Sequence, residues 1–207
     1  MPEIYFIISI KNLTSVLKEG ALLCQTTVEA RGLERASIAH AHIKARRAAT
    51  RVPVPPYGRL ADYVPFYFAP RSPMLYAIAK GKVEGYQDSQ GSIVYLVSST
   101  EAVVEHGLKY AFTDGHGTMA ITKFYQDVND LDKIDWRVME ERIWRDSDEE
   151  PDKKRRRQAE FLVFQHFPFE YVSRLAVYDT TMQLMVQALL QESQYRQDVQ
   201  VQPAWYY

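Results

Sequence analysis

Residues Ile4 to Gly20 read IYFIISIKNLTSVLKEG. The first seven form a nearly continuous apolar run rich in β-branched residues, which is the pattern of a buried strand. Asn12 then offers an N-cap, Val16 and Leu17 an apolar helix face, and Gly20 a left-handed C-cap. A strand passing directly into a helix sets the class, and the rest of the chain extends it. SIVYLVS (Ser92–Ser98) reads as a central strand, with Ser99, Thr100 and Glu101 starting a helix that runs to about His106. Lys109–Phe112, Phe161–Phe164 and Arg174–Tyr178 read as further strands, and Thr180–Ser193 as an amphipathic helix. Residues 33–50 are rich in Ala, Arg and Lys and predict a helix stopped by Pro53, Pro55 and Pro56. Val64, Phe66 and Phe68 alternate as in a strand, while Pro65 predicts an edge position or a bulge. With strands and helices in mixed order and no long linker, the expectation is α+β in a single domain spanning 1–207.

Composition narrows the function. Of 207 residues, 46% are hydrophobic, enough for a packed core. The net charge is −1, so any contact with nucleic acid must rest on local clustering. Cys24 is the only cysteine, which excludes an internal disulfide and fits a reducing compartment. No apolar run approaches the roughly 18 residues that span a membrane. The first residues lack the basic start and cleavage site of a signal peptide. A cytoplasmic protein, without membrane contact, is expected.

The charge is unevenly placed. No acid occurs between Glu34 and Asp62, whereas Arg35, Lys44, Arg46, Arg47, Arg51 and Arg59 fall in that gap. A second basic run, Lys153–Arg157, follows the acidic Asp146, Asp148, Glu149, Glu150 and Asp152, a blocky pattern typical of an exposed loop. A solvated helix face explains either run alone. Two runs with Tyr57, Tyr63 and Tyr67 nearby favour a polyanionic partner, because phosphates attract cations and bases stack on aromatics. Lys44, Arg46, Arg47, Tyr57, Lys153, Lys154 and Arg155 are the candidate contacts to such a polyanion.

Other chemistries lack their signatures. His40-x-His42 on a helix would splay its rings apart, so no metal is expected. Asp114-Gly115-His116-Gly117 reads as a turn. There is no G-x-S-x-G, Walker loop or G-x-G-x-x-G. Glu160, at the mouth of a strand, and Arg51, after the basic segment, remain. From residue types alone, each is equally a surface residue.

The stretch YGRLADYVPFYFAPRSPMLYAI (Tyr57–Ile78), the N-terminal IYFIISIKNLTSVLKEGAL and the later RRRQAEFLV together resemble the DarT family of DNA ADP-ribosyltransferase toxins, over essentially the whole chain. The resemblance implies a PARP-like ADP-ribosyltransferase fold with a split mixed β-sheet holding NAD as co-substrate. It implies transfer of ADP-ribose to a thymine base in single-stranded DNA within short sequence motifs, release of nicotinamide, and a macrodomain antitoxin that removes the mark. A monomer is expected. Position by position, the family's catalytic glutamate falls on Glu160 and its active-site arginine on Arg51, which would either bind the NAD phosphates or take part in the proton step at the acceptor base. Ile7, Ile8 and Ser9 match the strand lining the nicotinamide pocket. Residues 35–53 match the NAD-binding element and 119–160 the acceptor-positioning loop. Family members often read I-T-H in the first strand, and Ile8 and Ser9 depart from it, so backbone groups there would have to hold the nicotinamide amide. Two alternatives stay open: another acceptor (guanine in DNA, RNA or protein), or an inactive nucleic-acid-binding module.

Overall fold

A computed structural model describes residues Met1–Tyr207. The strands are β1 (Glu3–Ser9), β2 (Ala21–Leu23), β3 (Tyr63–Tyr67), β4 (Ile93–Ser99), β5 (Tyr110–Thr113), β6 (Phe124–Tyr125), β7 (Glu160–Phe164), β8 (His166–Pro168), β9 (Arg174–Val177) and β10 (Asp198–Val201). The helices are α1 (Ile10–Glu19), α2 (Gln25–Ala30), α3 (Ala41–Ala49), α4 (Pro73–Ala79), α5 (Thr100–Glu105), α6 (Trp136–Glu140), α7 (Lys153–Arg156) and α8 (Thr180–Gln191). Eight strands form one mixed sheet in the order β10-β9-β4-β1-β3-β7-β5-β6, while β2 and β8 make a small second sheet. Only β10 and β9 run parallel. The architecture is the mixed α+β single domain expected.

The sheet is divided near its middle. β1 pairs with β4 along its full length, Glu3 to Ser9, but meets β3 only at Tyr5–Tyr67. β3 in turn pairs fully with β7, Tyr67 lying opposite Glu160. This corrects the reading of Pro65. The strand is interior, not an edge, and the missing N–H is tolerated because β1 and β3 separate at that point. The sheet is packed on both faces, and the larger core runs across the division, joining Ile4, Val94 and Leu175 to Phe66, Phe112 and Phe161. Phe66, Phe112, Phe161 and Phe167 are fully buried on one side, and Ile93, Tyr95 and Val97 on another.

Local chemistry explains the remaining boundaries. The cap of α1 is Ser9, whose hydroxyl accepts from the Lys11 N–H, and not Asn12. Asn12 lies inside the helix and uses its amide to bond both the N–H and the C=O of Ala36, each at 2.8 Å. That clasp holds residues 33–40 in an irregular path, so the basic helix is only Ala41–Ala49. Gly20 does close α1, at φ 68°. The segment after β3 forms helix α4, which the sequence reading leaves unassigned. Ser72 caps it by accepting from the Leu75 N–H, and Pro73 takes the first-turn position.

Candidate active site

The gap between β1 and β3 opens into a cleft of 480 Å³. That lies within the roughly 300–1,000 Å³ of sites that hold a cofactor-sized ligand. Its floor includes Ile7, Ile8, Pro65 and Tyr67, with α3 on one wall and Pro73 and Met74 of α4 on another. Glu160, Arg47, Lys44, Arg35, His116 and Lys154 all reach it.

Glu160 is only 6% exposed, and three features aim it. It is the first residue of β7, so its direction is fixed by pairing with Tyr67. Its N–H donates to Thr113 Oγ1 at 3.1 Å. Gly117 leaves the room for its carboxylate, because a Cβ there would lie 3.3 Å from Glu160 Oε2 and 3.1 Å from Leu60 Cδ1. The chain entering β7 is held by Arg157, a buried arginine that donates to the carbonyls of Val138 (2.8 Å), Met139 and Pro70 (2.6 Å). Burial lowers the pKa of Arg157, and only carbonyls hydrogen-bond its guanidinium.

Arg47 Nη1 donates to both carboxylate oxygens of Glu160 at 2.9 Å each, and its Nη2 reaches the Leu60 carbonyl at 3.4 Å. Both side chains are nearly enclosed, 11% and 7% exposed. Arg46 donates to the Thr118 carbonyl, tying α3 to the turn that carries His116. Burial lowers the pKa of His116, and Arg47 and Arg46 push the same way against Glu160. The Thr118 N–H donates to His116 Nδ1 at 3.2 Å, the contact expected of a neutral ring. Tyr67, beside Glu160, has its phenol pKa raised by burial and by that carboxylate.

Arg35 is the least satisfied cation. Its Nε and Nη2 are buried with no hydrogen-bond partner, and burial lowers its pKa. A guanidinium facing a cleft in this state is a receptor for an anion. The sequence placed Arg35 in the acid-free gap and at the start of the 35–53 element, without singling it out as a site residue. The signal was there, but only the Asn12–Ala36 clasp shows that its segment lies over the cleft.

The other expected site residues separate into groups. Ile7 and Ile8 line the cleft; Ser9 is buried as the α1 cap and does not. Arg51 is exposed, makes an isolated bridge with Arg59, and lies outside the cleft lining. Tyr57 is 58% exposed and also outside. The second basic run is not a free loop. Lys153 pairs with Glu141 and Glu150, Arg155 with Asp152 (2.7 Å) and Asp114 (2.9 Å), and Arg156 with Asp135 and Glu150. Glu150, under those cations and Arg137, is pulled down to about 2. Of this run only Lys154 presents an uncommitted charge to the cleft. The rings of His40 and His42 lie 5.2 Å apart, closer than a shared helix would allow, because His40 precedes α3. No group of three His, Cys, Asp or Glu side chains has metal-binding geometry.

Comparison with known proteins gives a consistent answer. Residues 5–207 match the family described as "ssDNA thymidine ADP-ribosyltransferase, DarT". A DNA ADP-ribosyl transferase of Thermus sp. (strain 2.9) is 41% identical over 206 residues, covering 99% of this chain and 95% of that one. One from Escherichia coli O127:H6 is 34% identical over 171 residues, 83% and 78% of the two chains. Among solved structures, Thermus sp. 2.9 DarT in complex with ADP-ribosylated ssDNA superposes with a TM-score of 0.93 at 40% identity, covering 99% and 96%. The same protein in complex with NAD+ gives 0.89 at 38%, covering 99% and 97%.

Proposed function

From the membership of this chain in the DarT family of ssDNA thymidine ADP-ribosyltransferases, we propose how its cleft carries out the transfer of ADP-ribose from NAD to thymidine in single-stranded DNA. The single observation that carries the reading is Glu160, an enclosed carboxylate fixed on a strand end between the two halves of a split sheet. Breaking the nicotinamide–ribose bond builds positive charge on the ribose. A preorganised carboxylate beside that ribose stabilises the charge and accepts from a ribose hydroxyl. Nicotinamide leaves as a neutral molecule, so no acid and no metal are needed. The backbone of β1 at Ile7 and Ile8 offers the surface for its amide. Arg35, with Lys44 near it, takes the diphosphate. Arg47 holds Glu160 until the dinucleotide arrives and then shares it with the ribose.

The acceptor requires a second group. The ring nitrogen of thymine carries a proton and attacks only as that proton leaves. Thymine exposes this edge only when unpaired, which favours single strands. Arg51 is exposed beyond the end of α3 and makes no ion pair. We assign it to the acceptor thymine, where its guanidinium stabilises the developing anion; being always charged, it has no lone pair to take the proton, which passes to solvent water. Such marking is harmful to a cell's own DNA, so a toxin of this kind needs a partner that reverses it, in keeping with a macrodomain antitoxin. No helix is long and apolar enough to cross a membrane. The cytoplasm, where NAD and single-stranded DNA meet, is the compartment we assign.

The test is mass spectrometry of thymidine-containing and thymidine-free oligonucleotides after incubation with NAD. One ADP-ribosyl increment on the thymidine-containing strands alone is expected. Modification of guanine, RNA or protein in its place would overturn the assignment.

A further inference from the structure

A second cleft, of 470 Å³, adjoins the first and shares Pro73, Ala77 and Lys154 with it. Its other walls are Tyr76 and Lys82 near α4, and Trp144, Arg145 and Asp146 from the segment before α7. Two features set it apart. The first is charge. Lys82, Arg145 and Lys154 form no ion pair, nor does nearby Lys80, although every other cation from Lys153 to Arg156 does. The one acid, Asp146, is already engaged by the backbone N–H of Lys154. The second is a rigid aromatic ledge. Tyr76 is 37% exposed and stands at right angles to Trp144, ring centroids 5.7 Å apart. Trp144 is fixed by its indole N–H, which donates to the Tyr207 hydroxyl at 2.9 Å, and that hydroxyl donates to the Arg71 carbonyl. Tyr207 also buttresses Tyr76, at 5.1 Å. Lys80 Nζ lies 5.5 Å from the Tyr76 ring centre.

Uncommitted cations beside a braced, exposed aromatic are what a single strand requires: phosphates find charge and a base finds a π-face. We propose that this second cleft is the track for the DNA flanking the acceptor thymidine, with phosphates on Lys82, Arg145 and Lys154 and a neighbouring base against Tyr76. The inference rests on the proposed function, because it uses the first cleft as the end of the track. It relocates the DNA contact away from Lys153 and Arg155, whose charges are spent within the protein.

The test is the affinity of the full chain for a fluorescent oligonucleotide of about 12 nucleotides, long enough for one such groove. Anisotropy is read across a salt series, without NAD. The double variant Lys82→Gln/Arg145→Gln removes two exposed charges and leaves the core intact. It should weaken binding about tenfold and reduce the slope of log affinity on log salt by about 1.4, two contacts at roughly 0.7 each on a single strand. Tyr76→Ala should weaken binding while Tyr76→Phe retains it. NAD hydrolysis without DNA should be unchanged in all three. An unchanged slope in the double variant, or no measurable binding by the wild type, overturns the track. So does displacement of the oligonucleotide by a polyglutamate peptide as readily as by unlabelled DNA, which would mark a surface for an acidic protein. Failure of the proposed function would look different: DNA bound with the expected slope, but no ADP-ribose transferred.

Discussion

The Arg47–Glu160 pair makes a quantitative prediction about stability. Two bonds of 2.9 Å link side chains that are 11% and 7% exposed. Removing one partner from a fully dry ion pair costs about 3–5 kcal/mol, because the other charge is left buried and alone. This pair borders a cleft that water can enter, so the lower range for a hydrogen bond to a charged group applies, about 1.5–3 kcal/mol. Arg47→Met and Glu160→Gln should therefore each cost about 2 kcal/mol, and the double variant about 2 rather than 4, a coupling of about 2 kcal/mol. For a chain of this length each single change should lower Tm by about 4–8 °C. Urea unfolding followed by tryptophan fluorescence measures all three, with Trp136, Trp144 and Trp205 as reporters. Costs that add to within about 0.3 kcal/mol would mean that the pair is not coupled in solution. The account of Arg47 as the resting partner of Glu160 would then be refuted.

Three further expectations follow from the same cleft. Arg35→Gln should raise KM for NAD about 10- to 100-fold, the worth of one charge-assisted contact, and leave DNA affinity alone; an unchanged KM removes Arg35 from the diphosphate site. Arg51→Ala should lower kcat for DNA modification about 100-fold while hydrolysis of NAD without DNA persists; a rise in KM for NAD alone would make Arg51 a phosphate clamp instead. His116 has its pKa lowered by burial from the ordinary 6.5, so the unfolded chain takes up its proton first. Stability tied to this ring is present above pH 6.5 and lost as pH falls below it, and His116→Asn should flatten that loss; identical pH profiles by urea unfolding would contradict it.

Much of this was legible in the sequence, for identifiable reasons. β1, β4, β5, β7, β9 and α8 carry their own apolar periodicity, and α5 its serine cap. Glu160 could be placed through the resemblance of RQAEFLV, since its surroundings supply no local pattern. What was illegible is long-range. β10 is a short strand with only Val199 and Val201 apolar, and its place is fixed by parallel pairing with β9 and by burial of Val199 in the main core. Asn12 looks like a cap because its actual partner, Ala36, is 24 residues away. Pro65 signals an edge, but the sheet's internal division is not encoded near it. The bases Lys153, Arg155 and Arg156 read as free charge, while their acids come from as far as Asp114 and Asp135. The α4 start was missed although Ser72-Pro73 is a sound helix-initiation pair.

The central claim is that Glu160 stabilises the ribose cation, and Glu160→Gln tests it with least disturbance to shape. Nicotinamide release and oligonucleotide mass should be followed together, with NAD and thymidine-containing single-stranded DNA present and the variant confirmed as folded. The account predicts that both fall by about 100-fold or more, the scale of losing one preorganised electrostatic contact, while the variant still binds NAD. Transfer at the wild-type rate by the folded variant would contradict it.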